Sequence, residues 1–168
     1  MNLVVNVSMP GWGIGNKNKL LVIIPSDMRH FRELTMYKTV IYGRKTLNTF
    51  PGGKPLPNRN NIILSKDKRF AVEGATICHS MEELKKVLQT YDTDSLFVIG
   101  GESIYKLLLP YCKKAYVTFS YIDEEADRHF PDLNLLENWS VTAIESTQIE
   151  GNIPFRFTEY TNDNPMSL

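Results

Sequence analysis

Apolar positions in this chain recur with two periods, and the two periods alternate along most of its length. Leu3-Val4-Val5-Asn6-Val7 is rich in β-formers and predicts a strand, which Gly11, Gly13 and Gly15 break into a loop. Pro25-Ser26-Asp27 is a helix start, and Phe31 and Leu34 continue it at helical spacing. Thr39-Val40-Ile41-Tyr42 predicts a second strand, and Gly43-Arg44-Lys45-Thr46 opens a short helix. Asn61 to Ser65 and Ala75 to Cys78 predict the next two strands. Ser80 and Glu83 have the spacing of a capping box, and Met81, Leu84, Val87, Leu88 and Tyr91 then mark one helical face. Leu96-Phe97-Val98-Ile99 is a buried-strand run closed by Gly100-Gly101. Glu102 to Leu109 predicts a helix stopped by Pro110, and Ala115 to Phe119 another strand. The C-terminal third carries strand signals alone, Trp139 to Ile144 and Phe155 to Tyr160.

Strands that alternate with helices predict a parallel sheet with crossover helices. The last two strands have no helix between them and predict an antiparallel edge hairpin. The expected fold is therefore α/β: a single domain with a mostly parallel eight-stranded sheet flanked by four helices. The domain is expected to span residues 1–160, with a flexible polar tail from Thr161 to Leu168. Open α/β sheets bind ligands at the carboxyl ends of their strands, so the strand ends are where chemistry is sought.

Composition narrows the classes. The 168 residues carry 19 Lys+Arg against 19 Asp+Glu, and 42% are hydrophobic. Disorder would need fewer apolar residues or a large net charge, and a nucleic-acid binder would carry a basic excess. Neither condition is met. Cys78 and Cys112 are the two cysteines and do not form a C-x-x-C, so a reducing compartment is expected. The aliphatic run Leu20 to Ile24 is far too short to span a membrane. Met1-Asn2-Leu3-Val4-Val5 has no basic region or cleavage site, which predicts no signal peptide. The expectation is a cytoplasmic monomer. His30, His79 and His129 show no ligand spacing with either cysteine, so no metal is expected. Trp139 reads as core or interface packing and Trp12 as a cover over a cleft.

Four segments carry candidate chemistry, each with an ordinary structural alternative. Val98 to Tyr105 runs from a buried strand through Gly100-Gly101 into a helix start, where free N–H groups bind anions. Glycine after a strand is also a plain turn, and no G-x-G-x-x-G is present. Tyr42 to Thr46 repeats the arrangement with two cations at the turn. Those cations oppose the helix dipole unless an anion sits between them, although solvated surface cations would look the same. Ser65-Lys66 closes a third strand end with similar chemistry. No acid is read at these strand ends to hold a ribose diol, which favours NADPH over NADH. Asp27 shares a helical face with Phe31 and Leu34. It either complements the dipole of the first turn or faces a ligand that offers a pair of N–H donors. Arg59 follows a Pro-rich loop and is either a surface arginine or a clamp on a carboxylate.

Taken in order, these segments resemble dihydrofolate reductase from Leu3 to about Tyr160. The carrying motifs are Gly13-Ile14-Gly15, Ile24-Pro25-Ser26-Asp27-Met28 with Phe31, Gly43-Arg44-Lys45-Thr46, and Pro57-Asn58-Arg59-Asn60-Asn61-Ile62-Ile63-Leu64-Ser65. They continue with Val98 to Tyr105, Tyr116-Val117-Thr118, and Ala126-Asp127 before Phe130-Pro131.

The resemblance implies hydride transfer from NADPH to C6 of 7,8-dihydrofolate with a proton to N5, feeding one-carbon metabolism. It implies Asp27 as the active-site carboxylate on the pterin N3 and 2-amino group, with Thr118 as its hydroxyl partner. Leu20 and Tyr105 complete the implied catalytic set. Val5, Asn6, Met28 and Ile99 are implied around the pterin, Phe31, Phe50 and Leu56 along the pterin and benzoyl rings, and Arg59 on the glutamate α-carboxylate. The cofactor's phosphates fall to Arg44, Lys45, Thr46, Ser65 and Lys66, with Gly43 and Leu64 beside them. The pyrophosphate falls to the backbone of Gly100, Gly101, Glu102, Ser103 and Ile104. Asn6, Ile14, Gly15, Asn18, Leu20, Ile99 and Tyr105 are implied on the cofactor's nicotinamide side. The segment Met9 to Ile24 resembles the family's mobile loop, which Asp127 would help to hold closed. Antifolate inhibitors are the further small-molecule partners implied.

Two features depart from the family pattern. Leu21-Val22 stands where many members carry Pro-Trp, and Val22 cannot donate the tryptophan's hydrogen bond. A wetter pocket near Asp27 and altered sensitivity to diaminopyrimidines such as trimethoprim are expected. The loop with Gly52 and Gly53 before Arg59 also reads as lengthened. The rival readings are a same-fold pyrimidine reductase of riboflavin synthesis and a non-catalytic nucleotide- or folate-binding module. Asp27 and Arg59 together speak against the first, and Asp27 speaks against a nucleotide-binding module, while an inactive folate-binding relative stays open.

Overall fold

The apolar alternation of each strand sorts the core into two layers. In β1 (Asn2–Ser8), Leu3, Val5 and Val7 fall in one buried cluster, while Val4 joins the other. The computed structural model, which describes all residues from Met1 to Leu168, repeats this division across the central strands. After β1 the chain forms β2 (Gly13–Asn16), β3 (Lys19–Leu20) and α1 (Pro25–Thr35), then β4 (Thr39–Gly43) and α2 (Arg44–Leu47). Next come β5 (Asn60–Leu64), β6 (Ala75–Cys78), α3 (Met81–Leu88), β7 (Leu96–Gly100), α4 (Glu102–Leu108) and β8 (Lys114–Ser120). The C-terminal part adds β9 (Arg128–His129), β10 (Trp139–Ile144), β11 (Gln148–Glu150) and β12 (Ile153–Asn162). Ile41, Ile62 and Val98 face the layer built with α3 and α4, through Leu84, Leu88, Ile104 and Leu108. Val40, Tyr42, Ile63, Phe97 and Ile99 face the other side, where Phe31 and Leu34 of α1 and Leu47 of α2 pack.

The eight expected strands form one path, in the order β10-β12-β8-β1-β7-β4-β5-β6. The neighbours from β8 to β6 are parallel, whereas β12 is antiparallel to β8 and β10 to β12. No helix is long and apolar enough to cross a membrane.

Four short strands depart from the sequence expectation. The glycine-rich segment is not only a loop: β2 pairs with β1, β3 and β9. The reason is steric. A Cβ on Gly13 would lie 2.6 Å from Ala126 Cβ, so the absence of a side chain admits a neighbouring chain segment. β11 likewise pairs with β12, placing a small hairpin where a plain connection was read. The last strand also runs two residues beyond Tyr160. Asn162 N–H donates to Lys113 O at 2.8 Å and its side chain donates to Cys112 O at 2.9 Å. Past it, Met166 N–H donates to Pro110 O at 2.8 Å.

Trp12 covers no cleft. It is buried, with its ring 5.3 Å from that of Phe119 and 6.2 Å from that of Phe130. Trp139 is core, as read. The capping box of α3 forms with a variation. Ser80 Oγ accepts from Glu83 N–H at 3.1 Å, but Glu83 Oε2 accepts from His79 N–H, one residue further back than the usual partner.

Candidate active site

The carboxyl ends of β1, β4, β5 and β7 open into one cleft of about 1140 Å³, bounded by α1 and by the segment around β2 and β3. This exceeds the roughly 300–1,000 Å³ of a single small-molecule site and leaves room for two ligands. One end is apolar around a carboxylate, and the other is rich in glycine, hydroxyls and cations.

At the apolar end, Pro25 starts α1 and places Asp27 in its first turn. Met28 and Phe31 of the same helix, Val5 of β1, Ile99 of β7, and Phe50 and Leu56 from the loop after α2 complete this wall. The carboxylate has one side-chain partner, and it is not Thr118. Asn6 Nδ2 donates to Asp27 Oδ2 at 2.9 Å, and Ser120 Oγ donates to Asn6 Oδ1 at 2.7 Å. Thr118 pairs in register with Asn6 across β1 and β8 and is buried, but it makes no hydrogen bond to Asp27 and does not line the cleft. The longer amide of Asn6 fills the space between the strands and the helix first. Tyr105 also lines the cleft; its Oη donates to Val4 O at 2.7 Å, and burial followed by the Asp27 charge pushes its pKa up, so it stays a neutral donor.

Arg59 lies outside the cleft lining. Its Nε donates to Thr35 Oγ1 at 3.1 Å and its Nη1 to Pro57 O at 2.8 Å, with the guanidinium 5.9 Å from the Phe31 ring centre. Burial first, and then the nearby Arg32 guanidinium, pull its pKa below the ordinary arginine value. The segment carrying Leu56 and Arg59 is fastened by Asn61. The Asn61 amide accepts from Tyr42 Oη at 2.9 Å and Leu56 N–H at 3.0 Å, and donates to Leu56 O at 2.9 Å and Arg59 O at 3.2 Å. Asn61 stands in the carrying motif, yet its positioning role left no periodic signal.

At the polar end, Gly43, Arg44, Lys45 and Thr46 meet Gly100, Gly101, Glu102, Ser103 and Ile104, with Leu64, Ser65 and Lys66 alongside. Gly43 allows a close approach: a Cβ there would lie 3.1 Å from Ile104 Cγ1 and crowd that side chain. Gly100 is required by conformation, with φ at +130°. Ile104 and Tyr105 both donate their N–H to Gly101 O, which leaves the amides of Glu102 and Ser103 without an intrahelical acceptor. The Glu102 carboxylate is paired with Lys106 and accepts from His129 N–H at 3.4 Å.

The expectation that no acid stands at these strand ends is corrected by Asp67. Two residues past Ser65, it accepts from Arg44 Nη1 at 2.9 Å and from Arg69 N–H at 3.0 Å, which hold its pKa below the ordinary carboxylate value. Its bonds are thus taken up by the protein. Arg44 also stacks 4.6 Å from the Phe70 ring centre.

The remaining expected residues, Ile14, Gly15, Asn18 and Leu20, line the cleft, and so do Leu21 and Val22. Asp127 reaches this segment: its N–H donates to Gly15 O and its Oδ2 accepts from Lys17 N–H, both at 3.0 Å. Residues not foreseen in the lining include His79, Ser80, Met81 and Arg128. His79 Nδ1 lies 2.8 Å from Ser65 O and therefore carries its hydrogen there. The capping box already located this turn, but only the fold brings it to the cleft.

The arrangement suits a planar ligand with adjacent N–H donors beside Asp27 and a phosphate-bearing ligand along the glycines. The family model for dihydrofolate reductase matches residues 1–162. The chain is 33% identical to the dihydrofolate reductase of Bacillus subtilis over 153 residues, 90% of this chain and 88% of that one. It is 36% identical to the dihydrofolate reductase of Staphylococcus haemolyticus over 132 residues, 79% and 76% of the two chains. Among solved structures, dihydrofolate reductase from Enterococcus faecalis complexed with NADP(H) and RAB-propyl superposes with a TM-score of 0.85 at 28% identity, covering 96% of this chain and 95% of that one. With a family model matched from residue 1 to 162 and relatives at 33% and 36% identity over most of its length, this chain belongs to the dihydrofolate reductase family.

Proposed function

We propose that the protein reduces 7,8-dihydrofolate to 5,6,7,8-tetrahydrofolate with NADPH, and that residues 1–160 form the reductase domain. The observation that carries the reading is a lone carboxylate, Asp27, set in an apolar wall at one end of a cleft whose other end is a glycine and cation cradle. The residues present fit the dinucleotide. A Cβ on either Gly100 or Gly101 would come 3.5 Å from Thr46 Oγ1, so bare backbone lines that floor. Lys45, Lys66 and Ser65 supply charge and hydroxyl at its edge, and the Enterococcus relative is complexed with NADP(H).

NADPH, when bound, supplies the hydride. The protein's contribution is orientation and electrostatics. Asp27 accepts the paired N–H donors of the pterin and so fixes the ring; as the one acid there, it favours proton gain at N5 by way of water. Phe31, Phe50 and Leu56 hold the rings, with Val5, Met28 and Ile99 closing the pocket. Arg59 keeps an unengaged Nη2 for the substrate's carboxylate, with Arg32 nearby. The backbone of Gly100 to Ile104 holds the pyrophosphate, and Arg44, Lys45, Thr46, Ser65 and Lys66 hold the remaining phosphate. The segment Met9 to Ile24, pinned through Asp127, excludes bulk water when closed.

We read the protein as a cytoplasmic monomer that also takes antifolate inhibitors. The two unpaired, buried cysteines support the compartment. The test is loss of NADPH absorbance on adding dihydrofolate, for the parent protein and Asp27→Asn. Turnover by the parent and its loss in the variant are expected. An inactive parent overturns the function, and a fully active variant overturns the role of Asp27.

A further inference from the structure

We propose that Asn6 is the positioning residue for Asp27, held in its orientation by the buried hydroxyl of Ser120. The inference rests on the reading of Asp27 as the carboxylate that meets the pterin. β1 and β8 run parallel, with Asn6 opposite Thr118 and Ser8 opposite Ser120. By strand alternation these four polar side chains share the face on which Val4 packs, the face that α1 covers. Polar side chains on a covered sheet face need partners. Ser120 is wholly buried and finds its partner in Asn6 Oδ1, at 2.7 Å. The carboxylate, which can only accept, decides which end of the amide it meets, and Ser120 holds the other end. Turned the other way, Oδ1 would face a carboxylate oxygen, acceptor against acceptor. With Ser120 donating to Oδ1, Nδ2 points at Asp27 Oδ2 and donates to it at 2.9 Å.

No other side chain hydrogen-bonds Asp27. Thr118 makes no such contact, and Leu21-Val22 bring no donor to the cleft wall. The carboxylate is thus steered from one side only, by a residue in the middle of the central sheet. A carboxylate has about four acceptor sites, so one bond from Asn6 leaves room for a pair of ligand N–H groups. The chain Ser120–Asn6–Asp27 is built from residues 114 and 21 positions apart, on two strands and a helix.

The experiment measures kcat/KM for dihydrofolate and KM for NADPH in Asn6→Ala, Ser120→Ala and the double variant, with thermal unfolding of each. Asn6→Ala is expected to lower kcat/KM for dihydrofolate by about tenfold, the usual worth of a hydrogen bond to a charged group, with KM for NADPH rising by a smaller factor. Ser120→Ala is expected to move it the same way by a smaller factor, and the double variant to be no worse than Asn6→Ala alone. Ser120→Ala deletes a single hydroxyl and carries the test by itself if Asn6→Ala does not fold. Multiplying effects in the double variant, an unchanged kcat/KM in a folded single variant, or a rise in KM for NADPH as large as the fall in kcat/KM would each overturn the proposal. Full activity in Asp27→Asn overturns the underlying reading of Asp27. An inactive Asp27→Asn beside a fully active Asn6→Ala overturns only the role of Asn6.

Discussion

Glu150 caps the helix that carries Asp27: its Oε2 accepts the Ser26 N–H at 3.0 Å, across 124 residues of chain. Ile24, at the N-cap, has no side-chain oxygen to offer, so the β11–β12 hairpin supplies the acceptor that local sequence lacks. The Ser26 hydroxyl, the Ser26 amide and the nearby Arg29 hold the Glu150 carboxyl below its ordinary pKa. A depressed pKa stabilises the fold above the unfolded value, roughly 4.3, and the stabilisation disappears as pH falls through the folded value. Glu150→Gln is therefore expected to melt lower than the parent at neutral pH. The difference should close in acid below the ordinary glutamate range. Equal melting temperatures at neutral pH would remove the cap from the account.

Asn61 uses both ends of its amide to hold the segment from Leu56 to Arg59 against Tyr42. Asn61→Leu keeps the branched shape and deletes every one of these bonds. It leaves a buried phenol and several backbone groups unpaired, which costs on the order of 2–4 kcal/mol in urea unfolding. KM for dihydrofolate is expected to rise, because Leu56 and Arg59 lose their tether. An unchanged KM in a destabilised variant would make Asn61 a matter of stability alone.

Gly100 sits at φ +130°, where an L side chain is strained, and its missing Cβ faces Thr46 Oγ1 at 3.5 Å and the Tyr105 ring. Gly100→Ala is expected to destabilise the protein by about 1–3 kcal/mol. It also narrows the phosphate end of the cleft, so KM for NADPH should rise more than KM for dihydrofolate. Calorimetry and steady-state kinetics separate the two effects.

Neither cysteine is expected to react while the protein is folded. Burial pushes the Cys112 thiol up to about 12, and Cys78 is raised by burial and by the Glu83 charge. The thiolate is the reactive form, so a disulfide reagent near pH 8 should label the native protein only as fast as it opens. Both thiols should label at once in guanidinium. Rapid labelling of the native protein would contradict the buried placement.

The architecture was largely legible in the sequence because it rests on local periods. Leu3, Val5 and Val7 against Val4, or Phe97 and Ile99 against Val98, divide between the two faces by alternation alone. Ser80 with Glu83 marked the start of α3, and Pro110 marked the end of α4. The strand-end glycines and the lone Asp27 located the cleft for the same reason: parallel strands deliver their carboxyl ends to one edge. The short strands β2, β3, β9 and β11 escaped, since two to four residues carry no usable period.

Partner choice belonged to the tertiary structure. Asp27 pairs with Asn6 rather than Thr118, although both residues stand at the same register of neighbouring strands, because the longer amide reaches the helix and the hydroxyl does not. Arg44 is shared with Asp67, and the cap of α1 comes from Glu150. Each of these bonds joins groups 21 or more positions apart. Periodicity sets which face a side chain occupies, but hydrogen bonds form over about 3 Å, and only the packed chain determines which polar atoms come that close.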